Sequence, residues 1–309
     1  NAVKGGTSCQ QALERSAAAQ LDGMINCMAH GPLNAFNTCI SAVTRCSEDY
    51  KAHAEWQGKT HLHNSYQNML WLGPTVWGDH DMFHSSDTFA GRMMAVSKAM
   101  SGAPVYLSDD PADFNPEIIH PLCYGDGRLL RPLAPAVPPP RSMRIDPFEG
   151  EDAFIAAAPL PNECAAVVAY NLTEPTCTVH AEITPEDYKN AGGLWDATYG
   201  SWPTTPSEGL LAYDWYSGEA HLLQRSITFA LQTFEDRLIL LCPIVSGWAF
   251  IGRTDKYLSP AGAEVLQVTE DTMVVRSEEA CQVTVRYNGS LYKVDVQKGV
   301  THIHADSLE

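Results

Sequence analysis

Apolar and polar residues alternate between helical and strand periods over roughly the first 110 positions of the chain. Short apolar runs predict buried strands at 24–28, 42–47, 74–77 and 104–107. Between them, one helical face is formed by Leu62, Tyr66, Met69 and Leu70, and another by Phe89, Met93, Val96 and Met100. An earlier helix is predicted up to Gln20, after a capping box of Thr7 and Gln10. Short strands that alternate with helices indicate parallel βα units.

Polar residues follow each of these predicted strands. His30 lies in the loop after the first strand, and the other three strands run into dense polar clusters at 45–50, 79–84 and 108–110. In a (β/α)8 barrel the carboxyl ends of the strands carry the active site. Four βα units make half of such a barrel, whose other half would lie upstream of Asn1 or be absent. A doubly wound open sheet is the alternative for a complete chain.

The pattern changes at a Pro-rich segment, residues 132–147, which predicts a stiff linker. After it, strand-like runs separated by turn residues dominate, and this pattern is typical of an antiparallel β-sandwich. The nine predicted strands lie at 165–172, 177–183, 210–216, 226–234, 238–244, 248–251, 272–276, 281–287 and 291–296. We therefore expect a half-barrel at 1–131, the linker at 132–147 and a sandwich domain at 148–309.

Composition narrows the classes of partner. With 45% apolar and 18% charged residues the 309-residue chain can bury a large core. Its 20 basic against 37 acidic residues argue against nucleic acid as a partner, and no apolar run is long enough to predict a membrane span. Nine single cysteines without a CxxC motif argue against disulfides and structural zinc. Unpaired thiols favour the cytoplasm, with a periplasmic or secreted location as the alternative.

Two clusters carry candidate chemistry. Acids at a strand end, such as Asp79 and Asp81, suit hydroxyl recognition or acid/base catalysis, although helix capping and a buried hydrogen-bond network explain them too. Asp49, four residues after Arg45, fits a proton donor held by a cation, and a surface salt bridge is the alternative.

Two further features are weaker. His61 and His63, with Asp79 and His80, suggest a metal-dependent hydrolase, but residues two apart on a helix point about 200° apart. We therefore predict neither a metal nor another cofactor. Trp77, beside Asp79, is the best candidate for stacking on a sugar ring, with a core position as the alternative.

At these residues the chain resembles a known family. The segment from Trp77 to Ser85 is similar to the "DWDMFHS" signature of the raffinose synthase and seed imbibition protein group, which are alkaline α-galactosidase-like enzymes of glycoside hydrolase family 36 in clan D. Residues 104–111 resemble "PIYVSDKPG", 45–50 resemble "RASDDF", and 248–257 resemble "FAPIGLxDMFN". The chain departs from the pattern at Trp77-Gly78 and at Glu48.

The resemblance implies the C-terminal half of a (β/α)8 barrel followed by a β-sandwich, acting on α-galactosides such as raffinose-family oligosaccharides by a retaining mechanism. The nucleophile is then expected upstream of Asn1, in the other half of the same enzyme. Asp49 aligns with the general acid/base. Asp79, His80 and Asp81 would line the galactose site, with His30, Arg45 and Trp77 as further substrate-binding residues.

Local motifs do not decide whether water or another sugar accepts the galactosyl group. A non-catalytic carbohydrate-binding module and a metal-dependent hydrolase are the alternative functions.

Overall fold

Helices and short strands alternate in the first third of the computed structural model, which describes residues 2–173 and 177–308. The helices are α1 (Ala2–Gln20), α2 (Pro32–Ala35), α3 (Glu55–Leu72), α4 (Gly91–Ser101), α5 (Pro116–Ile119), α6 (Pro185–Ala191) and α7 (Gly193–Thr198). The strands of this first part are β1 (Ile25–Asn26), β2 (Val43–Arg45) and β3 (Trp77–Asp79). None of the helices in the described residues is long and apolar enough to cross a membrane.

The three strands form a parallel sheet in the order β1-β2-β3, which confirms the predicted parallel pairing. β3 begins three residues later than the predicted run at 74–77, because Thr75 and Val76 still donate backbone hydrogen bonds to Leu72 at the end of α3. The prediction of a regular strand at 104–107 is wrong. The segment makes only a parallel bridge between Phe83 and Leu107, since the neighbouring chain turns at Asp81, whose φ is 61°.

The helix predicted up to Gln20 is confirmed, but its predicted start is wrong. α1 begins at Ala2, so Thr7 lies inside the helix, where its hydroxyl donates to the carbonyl of Val3 at 3.0 Å. Thr7 therefore does not cap the helix.

Gly78 shows how closely α3 lies against β3. A Cβ atom at this position would lie 2.1 Å from Sδ of Met69, so only glycine lets the helix pack this closely. Because side chains alternate along a strand, Trp77 and Asp79 face the opposite side of the sheet from α3.

The further strands in the described residues pair antiparallel, and all nine predicted strands are among them. The strands are β4 (Phe154–Pro159), β5 (Ala165–Tyr170), β6 (Val179–Ile183), β7 (Leu210–Asp214), β8 (Ala220–Leu223), β9 (Ile227–Leu231), β10 (Asp236–Pro243), β11 (Trp248–Gly252), β12 (Glu264–Val268), β13 (Thr272–Ser277), β14 (Cys281–Tyr287), β15 (Ser290–Val296) and β16 (Gly299–His304). They form sheets in the orders β4-β5-β10-β7-β8, β6-β9, β11-β14-β15 and β12-β13-β16.

Apart from its outer strand β8, the five-stranded sheet is largely buried on both faces. On one face, Val168 and Leu240 belong to a buried cluster with Tyr66 of α3 and Met93 of α4. On the other face, residues such as Val167 pack against β6, β9 and α6. The apolar core therefore runs without interruption from the helices of the first part into the β-rich part.

The Pro-rich segment also contacts this sheet. Val137 exchanges two backbone hydrogen bonds with Ala157 of β4, at 3.0 and 2.9 Å. Residues 132–147 thus lie along the outer strand of the sheet.

Two polar contacts join the helices to the β-rich part. Lys59 of α3 is buried and donates to the carbonyl of Thr173 at 2.7 Å. Arg92 of α4 pairs with the buried Asp236 at 2.8 Å, and Tyr216 donates to the same carboxylate.

Candidate active site

The register of β2 and β3 sets two charged side chains next to each other. Arg45 pairs with Asp79 in the parallel ladder, at the carboxyl end of both strands. Neighbours in register point to the same face of a sheet, so both side chains face away from α3. Both are buried. The sheet therefore holds a cation and an anion side by side where its strands end.

Asp81 joins this pair through a tight turn. Its backbone N–H donates to Oδ1 of Asp79 at 3.0 Å, and its own Oδ1 lies 3.5 Å from Nη1 of Arg45. The hydroxyl of Tyr106 lies 2.9 Å from Asp79 and 3.3 Å from Asp81, so one phenol bridges the two carboxylates. Sequence reasoning missed Tyr106 as a site residue, although it lies in the 104–111 motif.

Asp49 lies on the other side of Arg45. Its Oδ1 is 2.8 Å from the same guanidinium nitrogen that contacts Asp81, and its side chain is 68% exposed. The next residue, Tyr50, donates its backbone N–H to Oδ2 of Asp81 at 2.7 Å. The structure thus brings together the predicted residues Arg45, Asp49, Asp79 and Asp81.

The two buried aspartates differ in their electrostatics. Burial raises the pKa of Asp79 above its usual range, and the charge of Lys98 only partly opposes this shift. Burial acts on Asp81 in the same direction, but the Tyr50 amide and the charge of Arg45 outweigh it and lower the pKa of Asp81. Asp81 is therefore the better anion of the two.

The turn between the two aspartates is held from behind. Lys98 of α4 is buried and donates to the carbonyls of both His80 and Asp81. Nε2 of His61 lies 3.0 Å from the same His80 carbonyl. Burial lowers the pKa of His61 to about 4, so its imidazole is neutral near pH 7. These contacts fix the backbone that carries Asp81.

The ring of His80 lies away from the carboxylates. Its Nδ1 contacts the hydroxyl of Ser97 on α4, and its ring meets Tyr66 edge to face at 5.2 Å. His80 follows Asp79 directly and therefore faces the helices rather than the open side of the sheet. Its carbonyl, not its imidazole, supports the site.

Among the described residues, no side-chain contact joins Trp77 or His30 to the cluster of Arg45, Asp49, Asp79 and Asp81. The ring of Trp77 lies beneath the guanidinium of Arg131 at 4.2 Å, and it would touch a Cβ placed on Gly102, after the end of α4. This is the opposite end of β3 from Asp79. His30 follows β1, and among the described residues its buried Nδ1 has no hydrogen-bond partner.

The two helical histidines have different surroundings. His61 contacts Ser47 at 3.0 Å, whereas His63 packs against Phe148 and Phe154. Within residues 2–173 and 177–308, no group of three His, Cys, Asp or Glu side chains is arranged to hold a metal ion.

The sequence of this chain is similar to those of several curated plant proteins. Curated relatives include the probable galactinol–sucrose galactosyltransferases 6 and 1 of Arabidopsis thaliana. They are 33% identical over 139 residues and 29% identical over 155 residues. The stachyose synthase of Pisum sativum is 37% identical over 73 residues, which is 24% of this chain and 8% of that protein. The two Arabidopsis alignments cover 44% and 50% of this chain but only 18% and 20% of those proteins, so the matched part spans about a fifth of their length.

Solved structures show the fold. The α-galactosidase I of Mortierella vinacea superposes with a TM-score of 0.52 at 15% identity, covering 78% of this chain and 63% of that one. The α-galactosidase of Saccharomyces cerevisiae, solved with raffinose, also gives 0.52, at 11% identity, covering 78% and 68%. The mixed helices and sheets of this chain therefore share the fold of α-galactosidases.

The family model described as raffinose synthase or seed imbibition protein Sip1 matches residues 3–174. This match includes β1 to β3, the Asp49 loop and the 104–111 motif, and it covers more than half of the 309 residues. The chain belongs to the raffinose synthase or seed imbibition protein family.

Proposed function

We propose that this chain carries the acid/base and sugar-binding part of a retaining enzyme that cleaves α-galactosides. The observation that carries the proposal is the shared contact of Arg45 with Asp49 and Asp81 at the end of a parallel sheet. An exposed carboxyl next to buried, hydrogen-bonded carboxylates suits a group that exchanges protons beside groups that bind hydroxyls. The relatives and the shared α-galactosidase fold support a galactose-containing oligosaccharide as the substrate.

In this proposal Asp49 protonates the leaving oxygen and later deprotonates the acceptor. Asp81 and Asp79 bind and orient the galactosyl hydroxyls, and Arg45 holds the acids in place. The acceptor decides between hydrolysis, with water, and transfer, with another sugar.

A retaining mechanism also needs a nucleophilic carboxylate about 5–5.5 Å from the acid/base. We propose that it lies outside these 309 residues, in an upstream half that completes the barrel. The short share of the relatives' length that this chain matches supports this arrangement.

Replacing Asp49 tests the proposal. In the full-length protein, Asp49→Asn should slow cleavage of an unactivated α-galactoside such as raffinose about 10²–10⁴-fold, because its sucrose leaving group needs a proton. The cleavage of an activated aryl α-galactoside should slow much less in the glycosylation step. Stopped-flow measurement of the first turnover with both substrates checks this difference.

Glu48→Gln is the matched control, since the Glu48 carboxylate contacts the side chain of Asn64 rather than Arg45. Asp49 is not the acid if both substrates slow equally, or if Glu48→Gln shows the effect instead. Binding of galactose without turnover of either substrate by the wild-type protein would identify a carbohydrate-binding module.

A further inference from the structure

A buried carboxylate lies directly behind the Asp49 loop. The side chain of Asp87 is 1% exposed, and its two oxygens serve different parts of the chain. Oδ1 accepts the backbone N–H groups of Phe89 and Ala90, at 2.8 and 3.1 Å, in the turn that leads into α4. Oδ2 accepts the hydroxyl of Tyr50 and the backbone N–H of His53 at 2.9 Å. Asp87 therefore joins the start of a helix to the loop that follows Asp49.

Helix capping alone does not explain this arrangement. A cap satisfies N–H groups where a helix begins, and Oδ1 of Asp87 alone already caps the turn that leads into α4. Oδ2 of Asp87 instead binds the loop after Asp49, at Tyr50 and His53. The φ of His53 is 59°, which lies in the left-handed region that costs free energy for a residue other than glycine. The loop is thus held in a conformation that it would not choose alone.

Tyr50 is fixed at both ends. Its side chain is buried and its hydroxyl contacts Asp87, while its backbone N–H donates to Asp81. Asp49 precedes it directly and has an exposed side chain, whose only ion pair among the described residues is with Arg45. The fixed backbone of Tyr50 therefore sets the position of the Asp49 backbone, from which the Asp49 side chain extends.

We propose that Asp87 and Tyr50 are positioning residues for the acid/base Asp49: Asp87 holds the Tyr50 side chain, and Tyr50 sets the distance of Asp49 from the leaving oxygen. This inference rests on the function proposed above. The carboxyl of Asp87 is suited to the role because it stays ionised. Burial favours its neutral form, but the bonds from Tyr50 and from the loop and helix amides lower the pKa of Asp87.

The test uses Tyr50→Phe in the full-length protein. This change removes the phenol–carboxylate contact but leaves the Tyr50 backbone N–H and the α4 cap in place. We expect the first-turnover rate constant for raffinose to fall about 10-fold, because small misplacements of a catalytic group are costly, and that for an aryl α-galactoside to fall much less. KM should change little for either substrate. Asp87→Asn should give the same ratio between the substrates.

Tyr257→Phe is the control for loss of a buried phenol, since its hydroxyl contacts the carbonyl of Ile118, away from Asp49. It should leave the ratio of the two rates unchanged. Equal losses for both substrates in Tyr50→Phe would reduce Tyr50 to a structural role and overturn the inference. Absence of turnover in the wild-type protein would contradict the proposed function instead.

Amide hydrogen exchange gives a readout that does not need activity. In Tyr50→Phe the amides of Tyr50 and His53 should exchange faster, while those of Phe89 and Ala90 keep their protection, because the cap is intact. Unchanged exchange at Tyr50 and His53 would also overturn the inference.

Discussion

Asp79 and Asp81 carry the same functional group two residues apart but have different roles in the site. Both oxygens of Asp79 are occupied inside the protein, by the Asp81 amide and the Tyr106 hydroxyl. Asp81 receives the Tyr50 amide and contacts Arg45, and the pKa of Asp81 is lowered. An ionised carboxylate has about four acceptor positions, so both aspartates keep room for a sugar hydroxyl, although Asp81 also lies within reach of the Tyr106 hydroxyl. Asp81 is the stronger acceptor because its pKa is lowered and that of Asp79 is raised.

We therefore expect Asp81→Asn to weaken galactose binding by the full-length protein about 10-fold or more, since a hydrogen bond to a charged group contributes about 1.5–3 kcal/mol. Asp79→Asn should weaken binding less, because the amide still contacts Tyr106. Calorimetric titration with galactose, together with thermal melting, measures both effects. A large drop in melting temperature with unchanged affinity would show instead that the mutated aspartate serves the fold.

The sequence predicts correctly that polar residues at the ends of neighbouring parallel strands lie close together. Arg45, Asp49, Asp79 and Asp81 meet because parallel strands end at one edge. His80 and Trp77 lie elsewhere because strand alternation and position along β3 separate neighbours in sequence. Lys98, Tyr106 and Asp87 come from other elements, and no local spacing shows that their side chains reach the site.

Among the elements, α1 is joined to the loop before β2 by a buried carboxylate. Glu14 is buried and accepts the backbone N–H groups of Cys39, Ile40 and Ser41, together with the hydroxyl of Ser41. These bonds hold the loop before β2 against the helix. Burial alone would raise the pKa of Glu14, but the hydrogen bonds, led by that of Ser41, lower it to about 2.

This shift predicts a pH-dependent contribution to stability. The folded pKa of about 2 lies below the ordinary value of 4.5, so the contribution is complete above pH 4.5 and is lost as the pH falls towards 2. Glu14→Gln should lower the free energy of unfolding at neutral pH by about 2 kcal/mol, and the difference from wild type should shrink with acid. Urea titrations of both proteins at several pH values check this. A difference that is independent of pH would mean that the glutamate charge is not involved.

Element prediction succeeds where the burial pattern is simple. β6 alternates buried and exposed residues, as a strand with one solvent face does. β4 was missed because all six of its residues are buried and three are alanine, which leaves no period to read. β8, β12 and β16 were missed as well. The parallel strands of the first part are only two or three residues long, so their boundaries depend on tertiary contacts.

Across the whole molecule, apolar surface is concentrated near the first strands. Leu21, Ile25 and Ile40 are exposed around a groove of about 660 Å³ beside β1 and β2. Within the described residues, β1 pairs with β2 alone and leaves its other edge open. An open strand edge and an exposed apolar patch favour pairing or packing with another segment or another chain.

We predict that residues 1–309 alone fold poorly and lack activity, whereas a chain extended upstream is active. Additional strands would cover the groove and supply the nucleophile. Hydrogen exchange over residues 1–131 and galactose release, compared between the two lengths, test this. A monomeric, well-protected and active 309-residue protein would favour an open α/β sheet.

The five-stranded sheet has a consequence for how this sequence can change. A sheet with one wet face tolerates substitution at every second position, but both sets of positions in β4 and β5 face packed side chains. Substitutions in these two strands must fit α3 and α4 on one face of the sheet and α6, β6 and β9 on the other. Recombination that exchanged the β-rich part for a foreign one would also have to replace the matching helix surfaces. We therefore expect the two parts to be exchanged only together.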